Sequence, residues 1–398
     1  MNRKARAIFI APADSQPRFH RRVSAFIAAG YSVRVYSFTR GFYRVNSFPP
    51  AAEVILLGRV RDGNYALRLP SLLRASQRIR LRERAEPTQA AAGYAFGLDS
   101  AFLLLHSMRA PARLFYEVGD LRTPSMAPVP RYALNLAERY ITRRFHCLAL
   151  TSPWFLSEHF GKLDPGVEQK AVILENKMDA SFSQVSRPPL RARATNEPIC
   201  IGVIGRLRYA RTLIPLLDAV AKQKGRYRVS VHGDGPLRPA IESYAARYDA
   251  IEYRGPFRNP SELADVYRRI DVNYVVYDNS LANVRVAIPN KLFESMFFGV
   301  PLIAAEGTAL ADAVRSRGIG LVIDPDKPGF AEELLNLLDG PMRLQAARVI
   351  REIPRSEIVE DLHEVIQKLH RATGGPISAM PGQSQPSPIG TAGDLRSL

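Results

Sequence analysis

Short apolar runs alternate with amphipathic segments along most of the chain. Runs of about four to eight apolar residues are typical of buried strands, and an apolar residue at every third or fourth position indicates a helix packed on a sheet. In the first half the pattern predicts strands at residues 5–11, 31–38, 53–57, 101–105, 114–118 and 147–151. Helices are predicted at residues 17–29, 67–84 and 131–145. This alternation predicts parallel sheets whose strands are joined by crossover helices.

The alternation breaks once and then returns. Residues 171–177 close the first block, and residues 179–198 lose the apolar period, which indicates an interdomain linker. Further strands are predicted at residues 199–205, 227–231, 251–253, 272–277, 301–305 and 321–323. Further helices are predicted at residues 211–223, 237–248, 261–269, 310–317, 330–338 and 354–372. We therefore expect an α/β protein with two Rossmann-like βα-wound domains, residues 1–178 and 199–353, facing across a cleft, and a disordered tail at residues 373–398.

The positive charge is concentrated in the first half. The 398 residues include 55 Lys and Arg against 38 Asp and Glu, a net charge of +17. Residues 1–195 hold 30 basic and 14 acidic side chains (+16), which leaves 25 against 24 (+1) for residues 196–398. A basic surface on one half indicates a polyanionic partner, and nucleic acid, an anionic membrane leaflet and a phosphorylated lipid all qualify.

Two features of the sequence bear on its compartment. The first apolar run, in MNRKARAIFIAPADSQ, is too short for a signal peptide, and no run reaches the roughly 18 residues of a spanning helix. Cys147 and Cys200 lie in apolar, strand-like runs, as expected of buried, reduced thiols in a cytosolic protein. We predict a soluble or peripherally bound cytoplasmic protein.

Residues 67–84 form an unusual predicted helix, with the sequence LRLPSLLRASQRIRLRER. Its apolar residues are interleaved with six arginines. One interpretation is a helix packed on the sheet with an arginine-rich outer face. The other is a basic amphipathic helix that lies on anionic lipid.

Three strand-to-helix junctions in the second half have the features of an anion site. Glycine allows close approach of the backbone, and a helix N-terminus attracts negative charge through its N–H groups and dipole. Arginine adds bidentate contacts to phosphate. Each junction alone could equally be a solvated surface turn, but together they predict a nucleotide-diphosphate site. Its candidate residues are Gly205, Arg206, Arg211, His232, Gly233, Asp234, Asn290, Lys291 and Glu294.

Polar residues at strand ends of the first half are candidates for contacts with an acceptor. Asp120 follows the strand at residues 114–118 and is a candidate general base toward a hydroxyl, with Glu117 as a second polar contact. The alternative for Asp120 is a helix N-cap. The sequence contains no nucleophile motif, Walker A loop or metal-ligand cluster, so neither a metal nor a cofactor is expected. A phosphorylated acceptor is expected to dock at Asp14, Arg18, Arg21 and Arg22.

Several of these segments resemble GT-B glycosyltransferases, in particular family 4-like enzymes that build bacterial exopolysaccharides and capsules. The second half is similar through IGVIGRLRYARTL, VHGDGPL, GPFRNPSELADVYRRIDV and PNKLFESMFFGVPLIAAEGTALADAV. The first half is more loosely similar to succinoglycan-type enzymes through YEVGDLR, LTSPWFLSEHF and ILENK. The resemblance implies a nucleotide-sugar in the second domain, an acceptor in the first, and a helix at residues 354–372 that crosses back to the first domain.

The resemblance also assigns roles on the donor side. Arg206 matches the arginine that contacts the donor diphosphate, and Glu294 matches the glutamate that holds the nucleotide ribose. Arg211 stands where the family has a lysine, which keeps the charge. Val286 stands where the family has its first glutamate, the residue that contacts the transferred sugar. This departure leaves the donor sugar and the stereochemical course open.

On the acceptor side two family features are absent. The glycine pair after the first strand is replaced by Ala13-Asp14-Ser15-Gln16. Gly119 stands where the family has a histidine before its aspartate, which here is Asp120. The resemblance therefore implies a general base at Asp120 if the reaction inverts the anomeric centre, and an acceptor-orienting Asp120 if it retains it.

The function predicted from sequence is that of a metal-independent hexosyl- or glucuronosyltransferase. It moves a sugar from a nucleotide-sugar, most simply UDP-linked, to a polyprenyl-diphosphate-linked saccharide in exopolysaccharide or capsule assembly, on the inner face of the cell membrane. The alternatives are a nucleotide-sugar epimerase of the same fold and a non-catalytic polyanion-binding protein. Nucleic acid is not an expected partner, because the sequence has no helix-turn-helix, zinc or aromatic-interleaved motif.

Overall fold

The structure is a computed structural model. It describes residues 4–374 apart from residues 15, 40–47, 61–67, 122–127, 190, 192–196 and 224. The predicted tail lies outside the described residues from residue 375 onward, and part of the predicted linker does so too. Within the described ranges, every helix is too short or too polar to span a lipid bilayer.

The first half of the chain builds one sheet of seven parallel strands. The strands are β1 (Arg6–Ala11), β2 (Ser32–Thr39), β3 (Ala52–Arg59), β4 (Ala92–Phe96), β5 (Arg113–Val118), β6 (Cys147–Leu150) and β7 (Ala171–Ile173). The helices are α1 (Pro17–Ala28), α2 (Leu69–Arg84), α3 (Leu98–His106), α4 (Pro128–Arg144) and α5 (Gly161–Leu163). The strand order is β3-β2-β1-β4-β5-β6-β7, which places a topological switch point between β1 and β4.

The second half builds a separate sheet of six parallel strands. The strands are β8 (Ile199–Arg206), β9 (Tyr227–Asp234), β10 (Ile251–Gly255), β11 (Val272–Val275), β12 (Leu302–Ala305) and β13 (Gly320–Ile323). The helices are α6 (Ala210–Lys222), α7 (Arg238–Arg247), α8 (Leu263–Arg268), α9 (Ala282–Val286), α10 (Lys291–Phe298), α11 (Ala309–Arg317), α12 (Phe330–Leu338), α13 (Met342–Glu352), α14 (Arg355–Ile358) and α15 (Leu362–Ala372). The order β10-β9-β8-β11-β12-β13 has its switch point between β8 and β11. The prediction of two βα-wound parallel sheets is confirmed.

One predicted strand is wrong. Residues 101–105 lie in α3, and the strand that pairs between β1 and β5 is the preceding segment, β4. A run of five apolar residues does not distinguish a strand from the buried side of a short helix. The sequence of β4, AGYAF, lacks β-branched residues. Its Gly93 is needed for packing, because a Cβ there would lie 2.6 Å from Pro111 Cγ, yet glycine weakens the sequence signal for a strand.

The helix predicted at residues 354–372 is interrupted, and α9 and α13 have no predicted counterpart. Val359 pairs with Met178 in an isolated parallel bridge, and this extended backbone separates α14 from α15. Asp361 then caps α15, because its carboxylate accepts hydrogen bonds from the first backbone N–H groups of that helix. The α15 side chains that enter the core of the first domain are Val365, Ile366 and Leu369.

Arg187, in the predicted linker, caps the carboxyl ends of α10 and α13. Its guanidinium donates to the main-chain oxygens of Met296 (2.6 Å) and Ile350 (2.7 Å), the two shortest of these bonds. Longer bonds reach the main-chain oxygens of Phe297, Arg351 and Ile353. A cation at these ends offsets the negative pole of each helix dipole. This part of the linker therefore belongs to the fold of the second domain.

Replacing Arg187 by methionine should lower the free energy of unfolding by about 2–3 kcal/mol, because buried carbonyl oxygens lose a charged donor. Urea unfolding followed by circular dichroism measures the change. The matched control is Arg247→Met, since the exposed Arg247 guanidinium contacts only Ser243 of its own helix. We expect a change below about 0.5 kcal/mol for the control. Equal stability of the two variants would contradict the capping role.

Candidate functional site

The carboxyl ends of β8 and β9 lie side by side at the edge of the second sheet. In their parallel register Gly205 is opposite Gly233, and Arg206 is opposite Asp234. Both glycines have positive φ, 120° and 146°. A Cβ on Gly233 would overlap the main-chain oxygen of Gly205, so only glycine allows this approach. The edge is therefore lined by backbone, which suits the close approach of a diphosphate.

Helix α10 begins at this edge and places Lys291 beside Gly205. A Cβ on Gly205 would lie 3.6 Å from Lys291 Cε. Lys291 Nζ donates to Glu294 Oε2 over 2.6 Å and lies 6.0 Å from the centre of the Phe257 ring. The lysine is only 5% exposed. A confined ammonium and the positive pole of the helix dipole thus coincide at the sheet edge.

Glu294 lies in the first turn of α10, with both carboxylate oxygens hydrogen-bonded inside the domain. Tyr267 donates to Oε2 over 3.0 Å, and Asn290 Nδ2 donates to Oε1 over 2.5 Å. Asn273 Nδ2 in turn donates to the Tyr267 hydroxyl over 3.1 Å. Burial, together with the charge of Glu294, raises the pKa of Tyr267 well above its ordinary value, so the phenol remains a donor. Glu294 therefore orients Lys291, and its contact with a ribose stays a prediction.

The structure does not place Arg211 as a phosphate ligand. Its Nε donates to Asp278 Oδ1 over 3.0 Å, and its two terminal nitrogens donate to Asp326 and Asn279. The hydrogen bond to Asp326 raises the pKa of Arg211 above its ordinary value. In this structure carboxylates neutralise the guanidinium, and its contact with a diphosphate stays a prediction. Arg211 joins the loops that follow β11 and β13.

His232 lies beneath the sheet edge. The residue is 4% exposed, and its Nε2 is 2.9 Å from Ser230 Oγ. Burial lowers the pKa of His232 to about 4, and the nearby Arg254 and Arg269 act in the same direction. The neutral imidazole is enclosed within the domain, and a contact of the backbone of this turn with the donor stays a prediction.

The low pKa of His232 predicts a pH dependence of stability. Between pH 6.5 and about 4 the unfolded chain binds a proton at His232 that the folded chain excludes, so stability falls as pH falls through this window. Replacing His232 by glutamine should reduce this acid-dependent loss by up to about 3 kcal/mol. Urea unfolding at about pH 7 and about pH 4.5 measures the effect. The control is His363→Gln, because His363 is exposed. If His232→Gln loses as much free energy of unfolding between the two pH values as the wild type does, the prediction is contradicted.

Glu117 lies in the interior of the first domain. Its carboxylate pairs with Arg22 Nε at 3.0 Å and with Arg18 Nε at 3.1 Å, and the Tyr94 hydroxyl donates to it. Burial and the charge of Glu117 raise the pKa of Tyr94 well above its ordinary value. Glu117 is fully buried, so its predicted contact with an acceptor is corrected. It neutralises arginines of α1 instead.

Arg21 and Arg22 also turn into the interior. Arg22 Nη1 lies 2.5 Å from Glu360 Oε1, and Arg21 Nε lies 3.9 Å from Glu360 Oε2. Arg21 also donates to the main-chain oxygen of Lys177. Both arginines are buried, so their predicted role in docking an acceptor is corrected. Because Glu360 lies between α14 and α15, these pairs join α1 to the segment that returns to the first domain.

Arg18 and Asp14 lie nearer the carboxyl edge of the first sheet. The Arg18 guanidinium fills the space beside Gly119, so that a Cβ at this glycine would overlap it. The half-buried Asp14 accepts a hydrogen bond from His20 Nε2 at its main-chain oxygen, over 2.9 Å. Contact of Arg18 or Asp14 with an acceptor stays a prediction.

Asp120 is exposed and is contacted from the second domain. Asn283 Nδ2 of α9 donates to Asp120 Oδ1 over 3.1 Å. Burial raises the pKa of Tyr209, three residues after Arg206, and the negative charge of Asp120 adds to that shift. Sequence reasoning missed Asn283 and Tyr209, because one sequence carries no signal for which loops of two domains meet. In the part of the chain that the structure describes, no three His, Cys, Asp or Glu side chains form a metal site.

The second half of the chain matches a known protein family. Residues 198–340 match the model of the family described as glycosyl transferases group 1. Over nearly its whole length, the chain is also similar to the succinoglycan biosynthesis protein ExoL of Rhizobium meliloti (strain 1021). The two are 26% identical over 402 residues, which cover 95% of this chain and 97% of the relative.

Solved structures of the same architecture extend over both domains. Sucrose-phosphate synthase from Thermosynechococcus elongatus superimposes with a TM-score of 0.66 at 14% identity, covering 93% of this chain and 98% of that one. Anabaena Alr3699/HepE in complex with UDP superimposes with a TM-score of 0.61 at 14% identity, covering 93% and 99%. Identities this low show the fold alone. The chain therefore has the two-domain GT-B fold of these structures, and its second domain matches the family described as glycosyl transferases group 1.

Proposed function

We propose that this protein is a glycosyltransferase, which moves a sugar from a UDP-linked donor to a hydroxyl of a lipid-diphosphate-linked saccharide during exopolysaccharide assembly. The observation that carries the proposal is the edge of the second sheet, where Gly205, Gly233 and the confined Lys291 meet the N-terminus of α10. Two names support the finer assignment: the similar protein from Rhizobium meliloti acts in succinoglycan biosynthesis, and the similar Anabaena protein was solved with UDP.

The donor diphosphate would lie along this edge. Lys291, Arg206 and the positive pole of α10 would stabilise the charge that develops on the leaving group. The Lys291 ammonium is held in place before the substrate binds, since it pairs with Glu294 at 2.6 Å. Preorganised charge of this kind lowers the barrier without reorganisation during the reaction.

The acceptor hydroxyl would face Asp120. Its oxygen attacks the anomeric carbon of the donor, and the bond from that carbon to the diphosphate oxygen breaks, so that the electron pair leaves with the nucleoside diphosphate. In an inverting reaction the hydroxyl proton passes to the Asp120 carboxylate. In a retaining reaction Asp120 orients the acceptor, and the proton passes to the leaving diphosphate. The anomeric configuration of the product, read by NMR, decides between the two.

A lipid-linked acceptor requires access to a membrane surface, and α2 and α4 offer one. Both helices pack against α3. Their outward-facing apolar side chains are Leu69, Leu73, Leu81, Tyr132 and Leu136. Exposed arginines interleave with the leucines of α2. Each arginine near an anionic leaflet adds about 1 kcal/mol, so this α2–α4 surface would hold the first domain on the cytoplasmic leaflet.

Replacing Leu73 and Leu81 together by serine should weaken binding to phosphatidylglycerol vesicles at least about tenfold, because two apolar contacts with the acyl boundary are lost. Co-sedimentation with the vesicles measures the binding. Vesicles of phosphatidylcholine should bind the wild-type protein poorly. The control is Leu344→Ser on α13, a leucine of similar exposure (54% against 60% for Leu73). Unchanged binding of the double variant would rule out the α2–α4 surface.

The proposed reaction is tested by a thermal-shift screen against UDP-, GDP- and ADP-sugars, followed by turnover with a lipid-diphosphate acceptor. A ligand present at 100 times its Kd stabilises the folded state by about 2.7 kcal/mol, a readily measured shift. We expect stabilisation by UDP-sugars and product only when donor and acceptor are both present. Absence of a shift with every nucleotide-sugar would refute the proposal. Product from the donor alone would replace the transferase with an epimerase.

A further inference from the structure

Asn283, in α9 of the second domain, contacts the loop that carries Asp120 through both ends of its side-chain amide. Its Nδ2 donates to Asp120 Oδ1 over 3.1 Å, and its Oδ1 accepts a hydrogen bond from the Leu121 N–H over 2.7 Å. With both ends of the amide engaged, the side chain cannot turn without losing a bond. The Asp120 carboxylate, which is otherwise exposed, is thereby held in one orientation.

The segment around Asn283 is docked on the first domain at further points. Ser152 Oγ donates to the main-chain oxygen of Val286 over 2.6 Å, and Asn176 Nδ2 donates to that of Ile288 over 3.0 Å. The Val286 side chain packs against the apolar core of the first domain. Val286 is therefore an interdomain contact in this chain.

The hydrogen-bond chemistry of an amide suits the role that Asp120 has in the proposed reaction. A neutral donor binds one carboxylate oxygen without competing for a proton, and the other oxygen stays available to the acceptor hydroxyl. Because the amide belongs to the donor-side domain, the alignment exists only while the two domains are docked.

We propose that Asn283 is a positioning residue, which aligns the Asp120 carboxylate for the acceptor hydroxyl and makes that alignment depend on closure of the two domains. The inference rests on the proposed function, since it needs Asp120 to act on the acceptor. Asn283 itself touches neither substrate. Its effect therefore appears in kcat, while the KM for the donor stays nearly constant.

The experiment compares kcat and both KM values for the wild type, Asn283→Ala, Asn283→Asp and Ser152→Ala. Loss of alignment should lower kcat of Asn283→Ala about 10- to 100-fold. Asn283→Asp keeps the acceptor for the Leu121 N–H but sets a second carboxylate against Asp120, so its kcat should fall further. Ser152→Ala removes an interdomain hydrogen bond that does not involve Asp120, and its kcat should stay within about threefold of the wild type.

A double-mutant cycle separates positioning from a general structural role. If Asn283 acts through Asp120, the variant that combines Asp120→Ala with Asn283→Ala loses no more activity than Asp120→Ala alone. Melting temperatures identify any misfolded variant, and if Asn283→Ala does not fold, the near-isosteric Asn283→Asp decides. Additive losses, or equal kcat values for Asn283→Ala and Ser152→Ala, overturn the inference while the transferase remains. A wild-type protein without transferase activity refutes the proposed function itself.

Discussion

Replacing Arg206 by alanine should lower kcat/KM by about 100- to 1000-fold, the size of effect seen when one charged or polar group that stabilises a developing negative charge is removed. Arg206 stands at the carboxyl end of β8, opposite Asp234 and one residue after the close approach of Gly205 to Gly233. A diphosphate along this edge would meet the guanidinium directly. Arg206→Lys keeps the charge but loses the bidentate fork, so it should recover only part of the activity.

The measurement is steady-state turnover with saturating acceptor over a range of donor concentrations. Arg228→Ala is the matched control, because Arg228 is an exposed arginine of β9 that lies near the amino end of the strand. It removes the same charge away from the edge and should change kcat/KM less than about threefold. Arg206 is exposed, so its replacement should not unfold the domain. Equal activities of Arg206→Ala and Arg228→Ala would show that the donor diphosphate does not bind at this edge.

Replacing Arg22 by methionine should lower the free energy of unfolding by about 3–5 kcal/mol, because two buried carboxylates lose their shared cation. Arg22 is fully buried between Glu117 and Glu360. Burial alone would lower the pKa of Arg22, but the charges of the two carboxylates outweigh burial and raise it. Methionine preserves most of the side-chain volume, so the loss reports the unpaired charges rather than a cavity.

Urea unfolding at neutral pH measures this loss. The control is Arg82→Met, which breaks an ion pair with Glu53 whose side chains are 57% and 43% exposed. An exposed pair of this kind contributes about 0–1 kcal/mol. The first domain should unfold at lower urea in Arg22→Met, since α1 also loses its connection to the segment that carries Glu360. Stability within 1 kcal/mol of the wild type would show that the carboxylates find other partners.

Regular patterns in the sequence predicted most of the fold, and its errors have identifiable causes. Eleven of the twelve strands predicted from apolar runs coincide with strands of the structure. The exceptions arise where the local pattern is short: residues 101–105 are equally apolar as strand or helix, and β4 is weakened by Gly93. The break between α14 and α15 depends on Val359 pairing with Met178, a partner 181 residues away in the chain.

Some parts of the candidate site could be predicted from the sequence, and others could not. Gly205 and Gly233 lie at the carboxyl ends of β8 and β9, and Lys291 begins a helix between β11 and β12. The carboxyl ends of strands meet at one edge of any parallel sheet. Arginines such as Arg21 and Arg22, near a polar residue such as Glu117, are typical of a phosphate site. In the fold, however, these residues form ion pairs with each other and with Glu360. Opposite charges in one interior neutralise each other, and a linear pattern does not show which of them will be buried.

By itself, the sequence determined the layers of the molecule, the uneven distribution of charge and the glycine-lined edge of the second sheet, because each depends on neighbouring residues of one chain segment. Only the tertiary structure decided which charged side chains are enclosed, that Arg211 is neutralised by Asp326 and Asp278, and that Asn283 meets Asp120. These contacts join residues distant in sequence, often from different domains. Their formation depends on how the two sheets dock, and that docking has no local signature.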